Sequence, residues 1–384
     1  MEYARVKDLG KIVTGNTPPT SKPEYYGDFM PFIKATDIPL NSKYTLTTEQ
    51  SYSEAGYKKY KESLIPKGST CVVTIGSIGK KLTYAHTDLF VNQAINAIIP
   101  NSLFDNGYVF YLSKYAILPQ LKIFDSGTTS GRENVSKSSF SNIRIPVIKN
   151  KDCQYKIATI LSAYDNLIEN NNRRIRLLEQ MAENLYKEWF VRFRFPGHEK
   201  AEFENGLPKG WKVEKVKNIV KRLPFNRTYK EYELEKEGAV IVIDQSTDEL
   251  MGYHNNEPSH YANYDEPLLL FGDHSCKFQL MTRNFSLGEN VIPYTAKNKN
   301  DVNAYWLFYA THKLIQTEEY KRHWGRFTSM KVLVPDIDVQ TRFEKIVKTI
   351  EMEKNKLITV NSTLSRQRDL LLPRLMSGKL EVKV

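Results

Sequence analysis

The run Gln154-Tyr155-Lys156-Ile157-Ala158-Thr159-Ile160-Leu161-Ser162-Ala163-Tyr164-Asp165 opens the stretch whose pattern decides the fold. Written in heptads, its a places are Ile157, Tyr164, Asn171, Leu178 and Leu185. Its d places are Leu161, Ile168, Ile175, Ala182 and Trp189. Only Asn171 interrupts this apolar stripe. A repeat of this period keeps one greasy face on the same side of a helix. Ordinary core helices run about 11–12 residues, so a stripe this long predicts a coiled-coil helix over about 151–195.

A second stripe lies near the chain end. Its a places are Phe343, Ile350, Leu357, Leu364 and Leu371, and its d places are Val347, Lys354, Asn361, Arg368 and Leu375. Lys354, Asn361 and Arg368 weaken it, and Pro373 is expected to end the helix before Leu375 contributes. Laid antiparallel, the two stripes match a against d. Asn171 then faces Asn361, Trp189 faces Phe343, Ile168 faces Leu364 and Ile175 faces Leu357. A buried Asn pair fixes register, because any slip strands each amide among apolar groups. At 1.5 Å per residue such helices make a rod of about 50 Å. Successive major-groove faces on one side of B-DNA lie about 34–36 Å apart, so similar domains at the two ends of the rod would reach two half-sites.

Outward from the helices, the two halves of the chain echo each other in order. Arg5-Val6-Lys7-Asp8-Leu9 returns as Lys215-Val216-Lys217-Asn218-Ile219. Tyr108-Val109-Phe110-Tyr111-Leu112 returns as Tyr305-Trp306-Leu307-Phe308-Tyr309. Asn142-Ile143-Arg144-Ile145-Pro146 returns as Lys331-Val332-Leu333-Val334-Pro335. After each of those prolines a helix begins: Asp152 maps to Asp338, Gln154 to Gln340 and Ile157 to Phe343, with the two Asp residues as candidate N-caps. Strand-like runs such as Thr70-Cys71-Val72-Val73-Thr74-Ile75 and Ala239-Val240-Ile241-Val242-Ile243 fill the segments between. The predicted fold is α+β: two similar mixed α/β domains, 1–150 and 196–336, separated by two long antiparallel helices forming a coiled coil in 151–195 and 337–384, with pseudo-twofold symmetry.

Composition is that of a folded chain of 384 residues, 41% hydrophobic and 26% charged. No apolar run reaches the roughly 20 residues that span a bilayer, and the first residues do not read as a signal peptide, so a cytoplasmic location is expected. Cys71, Cys153 and Cys276 form no CxxC pair, and the 7 histidines show no metal-ligand spacing. The net charge of +11 favours a polyanionic partner, with the basic face local because 44 acidic residues accompany it.

Candidate contacts follow from that charge. Gly76-Ser77-Ile78-Gly79-Lys80-Lys81 lacks the Gly spacing and the Ser/Thr of a phosphate-binding P-loop. It reads instead as a tight turn presenting Lys80 and Lys81, suited to phosphates or simply to solvent. Asn92 and Gln93 follow a strand end, either as base readers or as turn formers. In the polar loop Ser126–Asn134, Arg132 suits guanine and Asn134 adenine. The second domain offers His274, Lys277 and Arg283, and Arg326 with Thr328 before its last strand. Val291-Ile292-Pro293-Tyr294 is not the Asn/Asp-Pro-Pro-Tyr of an adenine methyltransferase, and no other catalytic constellation stands out.

The run from Gln154 to Asp165, Ile168-Glu169-Asn170-Asn171 and Leu185-Tyr186-Lys187-Glu188-Trp189-Phe190 together resemble the central conserved region of type I restriction–modification specificity subunits. Leu370-Leu371-Leu372-Pro373-Arg374-Leu375-Met376-Ser377-Gly378-Lys379-Leu380 resembles their distal conserved region. Ile65-Pro66-Lys67-Gly68, Gly76–Lys80 and Ser126-Gly127-Thr128 resemble a target-recognition domain of the family. The second domain departs from that pattern, with Phe271-Gly272-Asp273-His274-Ser275-Cys276-Lys277 in place of Gly-x-x-Gly-Lys. The resemblance implies a non-catalytic subunit that reads a bipartite sequence in double-stranded DNA and docks two methyltransferase subunits. It places S-adenosylmethionine on those partners and ATP with magnesium on restriction–translocase subunits, leaving no cofactor or metal on this chain. The competing reading is a coiled-coil scaffold with protein-binding end domains.

Overall fold

The computed structural model describes residues 2–40, 42–127, 133–246, 250–317 and 322–382. Two compact units divide the chain: Met1–Arg173 with Ile358–Val384, and Arg174–Leu357. Each unit holds its own sheets and a portion of each of two long helices.

In the first unit, strands β1 (Glu2–Arg5), β2 (Gly10–Thr14), β3 (Tyr26–Gly27), β4 (Met30–Ile33) and β5 (Gln50–Tyr52) precede the short helix α1 (Glu54–Tyr60). Strands β6 (Thr70–Val73), β7 (Leu82–Tyr84), β8 (Phe90–Val91) and β9 (Ile95–Pro100) follow. Then come helices α2 (Asn106–Leu112) and α3 (Lys137–Asn142), strand β10 (Arg144–Val147) and the long helix α4 (Lys151–Tyr186). An antiparallel sheet has the order β2-β9-β6-β7. A second has the order β3-β5-β4-β8, with β4 and β8 parallel, and β1 pairs with β10. Every residue of β6 is buried, as a continuous apolar run requires when both faces are covered.

The second unit repeats this plan. Strands β11 (Phe203–Glu204), β12 (Leu207–Pro208) and β13 (Lys212–Lys215) lead to the helical turn α5 (Val216–Ile219). Strands β14 (Val220–Arg222), β15 (Val240–Ile243), β16 (Gly252–His254), β17 (Leu268–Gly272), β18 (Phe278–Met281), β19 (Phe285–Leu287) and β20 (Val291–Ala296) follow. Helices α6 (Ala304–Thr311) and α7 (Trp324–Ser329), strand β21 (Lys331–Val334) and the long helix α8 (Ile337–Met376) complete the chain. The sheet order β14-β20-β17-β18 matches that of the first unit. β15 runs parallel to β19 as β4 does to β8, and β13 pairs with β21 as β1 does with β10.

The same side chain anchors the long helix in both units. Gln154 is fully buried; its amide oxygen accepts the Asp105 N–H at 2.8 Å, and its nitrogen donates to the Ile148 carbonyl at 2.7 Å. Gln340 accepts the Asn303 N–H at 2.8 Å and donates to the Pro335 carbonyl at 2.8 Å. Asp105 and Asn303 are in turn the N-caps of α2 and α6. Leaving such amides unpaired in a core costs about 1–3 kcal/mol each.

The long helices run antiparallel within each unit. In the first, Asn171 Nδ2 donates to Asn361 Oδ1 at 2.9 Å, and Asn361 Nδ2 donates to Asn172 Oδ1 at 2.8 Å. Nearby, Arg368 pairs with Asp165, both buried, and Asp165 also accepts the Tyr111 hydroxyl. In the second, Trp189 meets Phe343 with ring centroids 6.0 Å apart, and Lys354 reaches Glu179 at 3.7 Å and Glu351 at 2.8 Å. The polar residues that weaken the second stripe therefore each find a partner. Ile168 and Leu357 are buried; Ile175 and Leu364 are half-buried.

Two sequence expectations are corrected. Pro373 lies inside α8 and does not end it: Leu375 and Met376 continue the helix into the core of the first unit, both 2% exposed. Burial of those side chains together with Leu372 outweighs one lost main-chain hydrogen bond so near the helix end. The caps are also displaced. Asn150 Oδ1 takes the Cys153 N–H at 2.9 Å, so Asn150 caps α4 and Asp152 lies in the first turn. α8 begins at Ile337, which puts Asp338 in its first turn. Carboxylates there still favour the helix through its dipole.

Candidate nucleic-acid interface

In the first unit, the β6–β7 turn is built by two glycines with left-handed backbone, Gly76 at φ 85° and Gly79 at φ 71°, a conformation other residues adopt only at a cost. The Gly76 N–H donates to the Glu133 carbonyl at 2.9 Å, and Ile75 bridges to Asn134. Thr74 N–H donates to the Ala94 carbonyl at 2.8 Å. The fold thus gathers the 76–81 turn, Asn92–Ala94 and Glu133–Asn134 at one end of the sheet. Asp125 holds the start of the polar loop to its end, accepting the N–H groups of Asn134 at 2.7 Å and Gly127 at 2.9 Å. Those bonds lower its pKa.

The candidates there differ in availability. Lys80 is exposed, whereas Lys81 is half-buried and donates to the Ala35 carbonyl at 3.2 Å. Gln93 is exposed and accepts the Thr17 hydroxyl. Asn92 is half-buried in the turn, where its carbonyl accepts the Ile95 N–H at 3.1 Å. Asn134 is half-buried, and Arg132 lies outside the described residues.

The second unit places Phe271–Lys277 at the matching β17–β18 turn. Here Cys276 takes the left-handed position, φ 53°, and Gly272 N–H donates to the Lys277 carbonyl at 2.8 Å. His274 N–H donates to Gln245 Oε1 at 3.0 Å. His323 N–H donates to the Asp273 carbonyl at 2.8 Å, so the segment before α7 crosses this turn as the loop before α3 crosses the other. Arg326 lies on α7, with Nη1 3.4 Å from the Gln316 carbonyl, and Thr328 donates to the Gly325 carbonyl at 3.2 Å. Arg283 is exposed but sits at the other end of β18. Its neighbour Thr282 accepts from Asn355 of α8 at 3.1 Å, so Arg283 does not join His274 and Lys277.

Sequence reading missed a concave pocket of about 430 Å³ at this end of the sheet, lined by Arg222, Phe225, Asp273, Asn290, Arg322 and Trp324. The Arg222 guanidinium lies over the Phe225 ring, 4.4 Å from its centroid. Arg322 Nε stands 3.9 Å from Asp273 Oδ2. Nothing local in the sequence joins residues so far apart; strand pairing brings them together. Among the described residues no cluster of His, Cys, Asp or Glu is arranged to hold a metal, and no helix is long and apolar enough to cross a membrane.

Comparison with known proteins agrees with this geometry. Residues 1–180 match the family model described as type I restriction modification DNA specificity domain. The MjaIX type I restriction enzyme specificity subunit of Methanocaldococcus jannaschii is 27% identical over all of this chain and 94% of its own length. The HindI specificity subunit of Haemophilus influenzae is 31% identical over 46% of this chain and 38% of its own. A crystal structure of a type I restriction–modification S subunit from M. genitalium shares the fold, with a TM-score of 0.56 at 16% identity over 100% of this chain and 96% of the other. With two topologically repeated units and paired long helices, the chain is similar over its whole length to specificity subunits of type I restriction–modification systems, and its residues 1–180 match their DNA specificity domain.

Proposed function

We propose that the chain reads a bipartite sequence in double-stranded DNA, one half-site by each of two target-recognition domains, 1–150 and 196–336. In this reading the helices of 151–195 and 337–384 set the spacing of the half-sites and dock two methyltransferase subunits. Restriction–translocase subunits join that complex. S-adenosylmethionine and ATP with magnesium work on those partners, and this chain supplies recognition alone.

The observation that carries the reading is the repeat itself. Two units share sheet order, the Gln anchor and the crossing of a loop over a hairpin turn, yet their turns differ in sequence, Gly76–Lys81 against Asp273–Lys277. Equal frames with unlike tips suit two half-sites of unlike sequence. On the helices, Ile160 and Ile346 occupy equivalent places in the repeat and are 37% and 43% exposed. Arg173, Arg174, Glu179 and Lys187 are also exposed. A duplicated, half-apolar face of this kind suits two copies of one partner.

Selection from a library of randomised duplexes by the complex with its methyltransferase subunits tests this. A split motif with an unspecified spacer is expected. Lengthening both helices by four residues near Asn171 and Asn361 adds about 6 Å, nearly two base pairs at about 3.4 Å each, and the spacer should grow to match. A contiguous motif, or a spacer indifferent to the insertion, refutes the proposal.

A further inference from the structure

We infer that Arg322 is a specificity-determining residue of the second unit, held by Asp273 so that it reads a guanine in the major groove. This deepens the proposed function and rests on it. Asp273 is buried, and its Oδ1 accepts the N–H groups of His323 at 3.1 Å and Trp324 at 3.0 Å. Those two bonds fix the carboxylate. Its other oxygen faces Nε of Arg322, whose side chain is 81% exposed. At 3.9 Å this is an ion-pair separation, longer than a hydrogen bond; the carboxylate draws the guanidinium from its Nε side and leaves the Nη1–Nη2 edge to meet a ligand. That edge matches the O6 and N7 acceptors of guanine, the commonest specific contact in the major groove. The buttressing carboxylate is also the group that accepts from N4 of the paired cytosine.

Surroundings agree with a nucleic-acid ligand. Arg222 has one face covered by Phe225, which leaves its N–H edges for a phosphate. The pocket carries two guanidinium groups and an aromatic wall around one carboxylate. A lone anion would be repelled by that carboxylate; a base pair with its backbone satisfies all four groups. The pocket also lies at the sheet end away from α8: β18 leads to Thr282, which Asn355 of α8 holds, and β20 leads to Asp301, whose carbonyl takes a bond from Gln340. Arg322 is therefore the reading residue, Asp273 a positioning residue and Arg222 a backbone contact.

The test uses the full complex with its methyltransferase subunits and randomised duplexes. Wild type should prefer guanine at one position of the half-site read by this unit. Arg322→Ala should reduce that preference by roughly 5- to 150-fold and leave the other half-site unchanged. Arg322→Lys should keep overall affinity yet lose the same preference, because a point charge lacks the bidentate edge. Asp273→Asn keeps an acceptor for the two N–H groups, so a loss confined to that position marks positioning and not misfolding. Arg222→Ala should weaken all sequences alike and lower the salt dependence of binding by about one counterion. Uniform weakening by Arg322→Ala, or an unchanged motif, overturns the inference while the bipartite reading stands. A wild-type complex without sequence preference overturns both.

Discussion

Arg368→Ala should destabilise the first unit far more than a surface change would. The Arg368 and Asp165 side chains are only 7% and 3% exposed. Arg368 also bonds Asp369 at 2.9 Å, which reaches Lys114 at 3.0 Å. Truncating the arginine leaves the Asp165 carboxylate buried with the Tyr111 hydroxyl as its remaining bonded partner. Stranding one charge of a buried pair costs about 3–5 kcal/mol. For a unit of this size each kcal/mol moves the melting temperature by about 2–4 °C, so a fall of roughly 6–20 °C is expected. The double variant Asp165→Leu with Arg368→Met removes both charges and fills the volume. It should recover most of the loss of the single variant, short of wild type by what the buried Lys43 loses with the Asp165 charge. Circular-dichroism melts, with amide exchange followed in peptides from α4 and α8, measure both. A loss below about 1 kcal/mol for Arg368→Ala would put the pair in the class of exposed ion pairs and refute the reasoning, as would equal losses for the single and double variants.

Lys43 gives a pH signature. It is buried, donates to Ser162 at 2.8 Å and lies 4.8 Å from the Tyr84 ring centroid. Burial pulls its pKa down to about 8, against the opposing charge of Asp165. An unfolded lysine keeps its proton to about pH 10.4, so between these values this site holds more protons in the unfolded chain and its own contribution to stability should rise with pH from about 8 to 10. Urea midpoints at constant ionic strength should rise in wild type relative to Lys43→Met across that window, because the opposing titration of the buried Cys71 thiol is common to both; a difference between the two that does not change with pH counts against the burial argument. Cys71 and Cys276 are buried and burial lifts the Cys71 thiol to about 12, while Cys153 is half-buried. A thiol reagent should therefore modify Cys153 first in the native protein, and a fast phase that survives Cys153→Ser contradicts this. Asn361→Leu should cost about 1–3 kcal/mol by leaving the Asn171 and Asn172 amides short of partners. Cysteines at 171 and 361 should cross-link on mild oxidation, and linkage at a neighbouring register instead would mean the helices have slipped.

The long helices were legible because the period of an apolar stripe is written locally, residue by residue. The Asn171–Asn361 hydrogen bond lies in the register that the two stripes define. The repeat was legible for a similar reason: Gln154 and Gln340 sit at fixed offsets from a strand and a proline, and the same neighbours give them the same bonds. What depends on chain segments meeting was not written in any one stretch. Pro373 reads as a stop until the cavity receiving Leu375 and Met376 is known. Lys80 and Lys81 look alike until the Ala35 carbonyl claims one of them. Arg283 looks like a neighbour of Lys277 until strand length carries it to the other end of β18. The pocket of Arg222, Asp273 and Arg322 exists only because β14, β20 and β17 pair side by side. Local sequence determines which face of an element is apolar, since backbone geometry sets that period; which tips share a site depends on strand order and loop path, long-range choices that only the packed core decides.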